Sequence, residues 1–272
     1  MPHILAAVAY AALGLHFWNT RWREREGAPA VLPMQLWERA AIGLTLGAHA
    51  SGLSSAILEA GVMRFSFSLA LSLILWLAVL IYWLESFRSR MDGLQPIVLP
   101  LAALCALQPV FFPHTHLVAH AAATGFKIHF LAAILAYSLF TLAAVHAVFM
   151  SLAEAALHRR RVLSRRLASL PPLLTMEALL FHVLRIAFVI LTLTLASGAL
   201  FSEAIFGKAI PFDHKRVFAF LSWAIFAALL FGRHVWGWRG RKALYWTLAG
   251  FMSLLLAYVG TRFVFEVIYG RV

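Results

Sequence analysis

Long apolar segments separated by short polar linkers run along the whole chain. Eight of them are long enough for a helix that crosses a hydrocarbon core of about 30 Å, which takes roughly 20 helical residues. They cover residues 3–19, 37–58, 66–87, 94–112, 127–155, 174–201, 216–236 and 243–268. The pattern predicts an all-α, polytopic membrane helix bundle.

Helix-ending residues fall in the linkers that this pattern requires. Gly27 and Pro33 separate the first two segments, and Pro171 and Pro172 precede the sixth, where proline is tolerated at a helix start. No linker is both long and polar enough to form a soluble domain, so we expect a single transmembrane domain over residues 1–272. The composition agrees, with 62% hydrophobic and 12% charged residues.

The formal charge of +12 is divided unevenly between the two sets of linkers. The odd-numbered linkers hold thirteen basic residues and the even-numbered linkers hold five. This bias predicts that the basic side is cytoplasmic and that both termini are extracytoplasmic. The basic runs then face anionic lipid headgroups, and nucleic acid is not an expected partner. The two sets are Arg21, Arg23, Arg25, Arg88, Arg90, Arg159, Arg160, Arg161, Arg165, Arg166, Arg239, Arg241 and Lys242, and Arg64, Lys127, Lys208, Lys215 and Arg216.

Motifs of several other protein classes are absent. Cys105 is the only cysteine, so the chain has no internal disulfide, no CxxC redox pair and no CxxCH site for covalent haem. It also lacks a GxxxxGK[ST] loop, so ATP hydrolysis is not indicated. The first apolar segment has arginines after it and none before it, which predicts an N-out span rather than a cleaved signal peptide.

Three of the twelve histidines lie deep in the apolar segments. With a helical rise of 1.5 Å per residue, His49 lies about 20 Å from the inner end of its span, His146 about 14 Å and His182 about 12 Å. Ionisable groups in spans are costly and tend to face bundle interiors or cavities. Neutral histidines from different helices suit a bis-imidazole b-type haem. Each could instead be a core histidine bonded to a carbonyl or hydroxyl group.

Other histidines lie toward the outer face. His129 begins the fifth segment, near the loop histidines His114, His116 and His120, and His214 lies in the next outer loop. We expect His129 and His214 to be further cofactor-binding residues. A zinc or copper site needs several close ligands, usually at short spacing or with cysteine, and neither is evident. His114 and His116 come nearest to such spacing, but a solvated loop is the preferred interpretation.

Arg185 supports the haem interpretation, because it follows His182 by about one helical turn and so lies near it on the helix surface. The spans hold few acids to neutralise it, and a haem propionate would supply a carboxylate in bidentate geometry. The alternative is a guanidinium bonded to backbone carbonyls or lying in a water-filled crevice. We expect His182 to face the bundle interior as an axial haem ligand. His49 is the expected second axial ligand, and His146 is the alternative to His49.

Several stretches together resemble one known family. They are "LGAHASGL", "KIHFLAAILAYSLFTLAAVHA", "PPLLTMEALLFHVLRIAFVILTLTLASG", "FDHKRVFAFLSWAIFAALLFGRHVWGWRGRKA" and "LAYVGTRFV". The chain resembles the CcsA/CcmC/HemX superfamily of membrane haem-handling proteins, and most closely its YpjD-like branch. The resemblance is dense in the C-terminal half and rests on the residues around His49 in the N-terminal half.

The resemblance implies specific roles for some residues. In the cytochrome c synthetases of this superfamily, external histidines flank a tryptophan-rich loop that presents haem, and transmembrane histidines hold haem in the bundle. His129 matches the first external histidine, and Asp213, Lys215 and Trp223 resemble the family's "WDPKE…W" run. The chain lacks the WGxxWxWD core, and Tyr269 stands where the second external histidine would fall.

These departures favour haem binding over thioether-bond formation. The sequence therefore predicts a protein of the bacterial inner (cytoplasmic) membrane that transfers, stores or senses non-covalent haem b for cytochrome c assembly. Apocytochrome c or another cytochrome-maturation membrane protein is the expected partner, besides membrane lipid. The alternative is a non-enzymatic accessory or regulatory subunit of the same fold that does not bind haem.

Overall fold

Among the residues that the structure describes, eight long helices occupy the eight segments that the sequence predicts. The computed structural model describes residues 1–22, 34–59, 62–87, 94–117, 123–158, 173–206 and 214–264. The helices are α1 (Pro2–Phe17), α2 (Leu36–Ile57), α3 (Phe67–Glu85), α4 (Gln95–Phe111), α5 (Thr124–His158), α6 (Leu173–Phe206), α7 (His214–Trp236) and α8 (Gly240–Leu255). π-helical turns extend α1 over Trp18–Trp22 and α8 over Leu256–Gly260, and a last helical turn, α9, covers Thr261–Phe263.

Within the described residues, six helices are both long and apolar enough to cross a membrane. The prediction of an all-α, multi-pass membrane protein is thereby confirmed. The helix α4 is apolar but shorter, with 17 residues, and α1 has 16. The six spans are Leu36–Ile57, Phe67–Glu85, Thr124–Glu154, Leu174–Leu200, His214–Trp236 and Gly240–Gly260.

The helices pack in two sets of four that meet along α3 and α5. In the first set α1 packs mainly on α4 and also on α2, and α3 packs on both α2 and α4. In the second set α5 packs on α6 and α8, and α7 packs on α8. Close approaches depend on small residues: a Cβ at Gly14 would lie 2.8 Å from the Pro100 ring, and one at Gly250 would lie 2.8 Å from the Phe226 ring.

A small antiparallel sheet, which the sequence did not predict, lies at the end of the bundle where α5 begins. Strand β1 (Leu58–Glu59) pairs with β2 (Val62–Phe65), and β2 pairs with β3 (His116–Leu117). Phe65 stands opposite His116 in this register. Residues 116–117, which follow α4, therefore add a strand to the α2–α3 hairpin, and His116 is held in it.

Two buried carboxylates tie helix ends together at the opposite end of the bundle. Glu38 accepts from both Nη atoms of Arg21, at 3.0 and 2.8 Å, and lies 2.8 Å from His16 Nε2. Glu177 lies 2.7 Å from Arg233 Nη1. Each carboxylate is thus neutralised by a cation from a neighbouring helix, as a charge in an apolar bundle requires.

Some sequence predictions fall outside the described residues. These are the outer histidine His120, the motif residue Asp213, the position Tyr269, Lys208 and much of the basic set: Arg23, Arg25, Arg88, Arg90, Arg159, Arg160, Arg161, Arg165 and Arg166.

Candidate functional site

The larger of the two described cavities lies beside the small sheet and has a volume of about 430 Å³. Helices α3 and α5, the turn after α8, and strands β2 and β3 supply its walls. Pockets for small molecules and cofactors commonly measure about 300–1,000 Å³ and combine apolar walls with a few polar groups. Its lining residues are Phe65, Ser66, Ile74, His116, Leu117, Phe126, His129, Phe130, Ala133, Ile134, Tyr137 and Tyr258.

His129, in the second turn of α5, is hydrogen-bonded to a serine of α6. Its Nδ1 lies 2.9 Å from the Ser197 hydroxyl, and that hydroxyl donates to the Thr194 carbonyl at 3.0 Å. Because the hydroxyl proton is used there, we assign the Nδ1–H of His129 as the donor to Ser197 Oγ. The lone pair is then on Nε2, the atom that a metal or haem iron would need.

Gly198 brings the two helices together at this point. A Cβ on Gly198 would lie 3.1 Å from His129 Cε1, which is tighter than side chains normally pack. The sequence stretch "TLTLASG" therefore supplies the hydroxyl, the carbonyl and the gap that fix the ring. The resemblance singled out His129 but not Ser197, since a serine near a helix end has no distinctive pattern.

His116 reaches the same cavity from strand β3. It lines the pocket with His129, whereas His114, two residues earlier, is exposed. The preferred interpretation of a solvated loop therefore holds for His114 but is wrong for His116. Within one strand, residues two apart would point the same way. His114 does not share the direction of His116 because β3 begins only at His116, so His114 lies outside the strand.

Aromatic rings form much of the cavity wall. Phe126 stacks on Phe130 at a centroid distance of 6.0 Å, and Phe65 meets Phe130 edge-on at 4.9 Å. The Tyr137 hydroxyl is turned away, because it donates to the Leu254 carbonyl at 2.9 Å. Such a wall suits a flat, apolar ring system.

A smaller cavity of about 180 Å³ lies between α3, α5 and α6. His146 and His182 both line it, together with Glu85 and Tyr82. His146 is buried and its Nε2–H donates to the Met176 carbonyl at 3.0 Å, which leaves the lone pair on Nδ1. The structure thus brings His182 together with His146, which was the alternative to His49 as second axial ligand.

The expectation that His182 faces the bundle interior is wrong. His182 and Arg185 are both exposed, and the buried stripe of α6 runs through Leu180, Leu184 and Leu191 instead. The cause is helical periodicity: these leucines lie on one face, whereas His182 lies about 180° and Arg185 about 120° around the helix from it. Because the lipid-facing side is as apolar as the core, the sequence did not reveal this rotation. Arg185 Nε donates only to the Phe181 carbonyl of its own helix among described residues, at 3.2 Å.

His49 lies in another part of the bundle, and the structure does not bring it together with His182. The His49 ring is fully buried, with Nε2 2.8 Å from the Ser72 hydroxyl. Its ring neighbours are His3 and Tyr10 of α1. Similar depth on two helices does not make their side chains neighbours, because depth says nothing about which helices are adjacent.

The remaining predicted residues lie apart from both cavities. His214 is exposed at the first residue of α7. Trp223 stacks on Phe188 at 5.6 Å and donates to the Thr192 hydroxyl at 3.0 Å, so it joins α7 to α6. Among the described residues, no group of three or more His, Cys, Asp or Glu side chains could hold a metal ion.

Known proteins match most of the chain. The family model described as cytochrome c assembly protein covers residues 39–269. The inner membrane protein YpjD of Escherichia coli K12 is 29% identical over 237 residues, which is 85% of this chain and 89% of that protein. The cytochrome c biogenesis protein CcsA of Prochlorococcus marinus MIT 9301 is 38% identical over 88 residues, 32% of this chain and 28% of that protein. No solved structure matches the chain.

Proposed function

Because the chain belongs to the cytochrome c assembly protein family, we propose that it binds non-covalent haem b in the bacterial inner membrane and handles it for cytochrome c assembly. Family membership itself confirms the resemblance found in the motifs. The handling consists of transferring, storing or sensing haem. Its partner is apocytochrome c or another cytochrome-maturation membrane protein, and the bundle sits in membrane lipid.

The observation that carries the proposal is the cavity of about 430 Å³ with His129 and His116 in its wall. His129 is set up as a ligand, since Ser197 takes its Nδ1–H and leaves the lone pair on Nε2. The phenylalanines of the wall would pack on the porphyrin face. Arg64 in β2 and Lys127 in α5 supply cations near this end of the bundle for the propionates.

The residues present fit a haem group by their chemistry. A b-type haem supplies an iron that accepts neutral imidazole nitrogens as axial ligands. His129 would hold the iron, and His116 is the second imidazole of the same cavity. The aromatic wall would exclude water from the bound group. An exchangeable pair of ligands near the end of the bundle suits a protein that passes haem on rather than one that keeps it.

A second haem contact is proposed at His182 and Arg185. His146, which lines the same cavity of about 180 Å³, is the better partner for His182 than His49 is. Arg185 would hold a propionate, because no described acidic side chain pairs with its guanidinium. Both residues face outward from α6, so haem would reach this place from the lipid.

The proposal includes the membrane topology of the helix bundle. All eight long helices cross the membrane, with α1 extended by its π-helical turn and α4 crossing as a short helix. Both termini are then extracytoplasmic, as the basic linkers predict. The His129 cavity lies at the extracytoplasmic end, and the Glu38 and Glu177 clusters lie at the cytoplasmic end.

The test is a haem titration of detergent-purified protein, followed by absorption spectroscopy. Wild-type protein should take up haem and give the Soret band and the sharp reduced α and β bands of a low-spin haem with two imidazoles. His129→Ala should weaken uptake at least tenfold. His234→Ala, which removes an exposed histidine at the other end of the bundle, should behave as wild type.

Absence of haem binding in folded wild-type protein would contradict the proposal. The chain would then be an accessory or regulatory subunit of the family. Unchanged uptake and spectrum in His129→Ala would remove the role of His129 in particular.

A further inference from the structure

Three ring side chains from α1 and α2 meet in the bundle away from both cavities. The rings of His3 and His49 are 6.0 Å apart between centroids, and those of Tyr10 and His49 are 5.6 Å apart. His3 and Tyr10 are separated by seven residues, so they lie on the same face of α1. That face packs against α2, where His49 lies.

Several polar atoms of this cluster have no hydrogen-bond partner among the described residues. They are Tyr10 Oη, His49 Nδ1 and one ring nitrogen of His3, whose other nitrogen is hydrogen-bonded to the Gly52 backbone. Tyr10 and His49 have no exposed surface. A buried polar group without a partner destabilises the folded state, so three such atoms in one place point to a bound species that satisfies them.

Ser72 prepares His49 for one particular kind of species. The Ser72 hydroxyl, itself fully buried, lies 2.8 Å from His49 Nε2. In the tautomer whose Nε2–H donates to that hydroxyl, the lone pair is on Nδ1, which is the atom without a partner. A histidine that ligates a metal normally has its other ring nitrogen held in this way.

We propose that His3, Tyr10 and His49 form a binding site for a single Cu⁺ ion. Imidazole nitrogens are suitable copper ligands. With metal–nitrogen bonds of about 2.0–2.1 Å, as for zinc, two imidazoles on one ion have ring centroids about 5–6.5 Å apart, and the observed separation is 6.0 Å. Tyr10 packs on the His49 ring with centroids 5.6 Å apart and closes the site on that side.

The charge at the site favours Cu⁺ over other occupants. The described contacts of the three rings include no carboxylate, so a divalent ion would bring two uncompensated charges into an apolar interior. Cu⁺ brings one and accepts two or three ligands. Tyr10 packs on the His49 ring, and the Ser72 hydroxyl lies 2.8 Å from its Nε2.

The test is anaerobic Cu⁺ titration of full-length, detergent-purified protein carrying no histidine tag, in competition with a chromophoric Cu⁺ chelator. Wild-type protein should bind one ion. His3→Leu and His49→Leu should each weaken binding at least tenfold, and Tyr10→Phe, which keeps the ring packing, should weaken it less. His114→Leu and His234→Leu, which remove exposed histidines, are the matched controls and should bind as wild type.

A second readout guards against misfolding of the variants. Cu⁺ should raise the melting temperature of wild-type protein, because a ligand that binds only the folded state stabilises it. His3 is only partly buried, so His3→Leu should fold and lose this increase. Haem uptake by His3→Leu should stay unchanged, which separates this proposal from that for the His129 cavity. A wild-type protein that binds no Cu⁺, or binding that survives both histidine substitutions, overturns it.

Discussion

Ser197 Oγ lies 2.9 Å from His129 Nδ1 and joins α6 to the α5 histidine that lines the larger cavity. The same hydroxyl donates to the Thr194 carbonyl, so it accepts from His129 and fixes the ring tautomer. The ligand nitrogen of His129 is therefore determined by a residue 68 positions away in the chain.

Ser197→Ala should weaken haem binding by roughly tenfold, the lower end of the effect typical of residues that orient a metal ligand. The ring would lose the acceptor that fixes its tautomer while keeping its place. Haem titration measures the change. Ser197→Thr, which keeps the hydroxyl, should restore most of the affinity, and equal affinity in the alanine variant would contradict the role assigned to Ser197.

Gly198→Ala tests the same contact by steric means. The added methyl group would lie 3.1 Å from His129 Cε1 and push the ring away from α6. We expect weaker haem binding with little loss of folding, since the ring can move toward the cavity. Gly47→Ala is the matched control, because a Cβ there meets nothing within 4 Å; a Gly198→Ala protein indistinguishable from it would show that the contact is unimportant.

His116→Ala should change the spectrum of bound haem more than it changes the amount bound. With one of two imidazoles removed, the low-spin bands should give way to those of a high-spin or mixed-ligand haem. His114→Ala removes an exposed histidine two residues away and should leave the spectrum unaltered. If both variants keep the wild-type spectrum, His116 is not a ligand.

The helices could be predicted from the sequence because their causes are local. Long apolar runs and the glycine and proline residues between them placed all eight helices. The last run, predicted over 243–268, is divided in the described residues into α8, a π-helical turn and α9, which ends at Phe263. The rotation of α6 could not be predicted, because a lipid-facing surface and a protein core are equally apolar. His182 and Arg185 consequently lie on an exposed face that the sequence pattern does not distinguish from a buried one.

Which residues meet at each site could not be predicted, because the contacts join segments that are far apart in the sequence. His116 reaches the cavity only because β3, which follows α4, pairs with β2, which precedes α3. The His3 and Tyr10 neighbours of His49 had one readable signal, the seven-residue spacing on α1 that Phe17 continues. That spacing identifies a packing face, but it does not identify the helix that packs on it.

Glu177→Ala should lower the free energy of unfolding by about 3 kcal/mol, as expected when one partner of a largely buried ion pair is removed. Arg233 would be left without its carboxylate at 2.7 Å. Thermal unfolding in detergent gives the measurement. Glu154→Ala removes the partner of the exposed Arg241, 4.0 Å away, and should cost less than about 1 kcal/mol; equal losses in the two variants would contradict the difference in burial.

The proposed topology predicts that cysteines placed at Arg161 and Arg241 react only from the cytoplasmic side. The labelling should be done in a Cys105→Ala background, because Cys105 is the only native thiol. It is buried, so alanine should be tolerated with a modest loss of stability. Labelling of either position by an impermeant reagent added to the periplasm would reverse the orientation and place the His129 cavity on the cytoplasmic side.

The most direct test of haem handling is the haem content of protein purified in mild detergent from haem-replete cells, measured together with its oxidised and reduced spectra. The account predicts bound haem with the bands of two imidazole ligands in the wild type, and a markedly lower content in His129→Ala at equal yield of folded protein. Folded wild-type protein free of haem, or equal haem content in the two proteins, would contradict it.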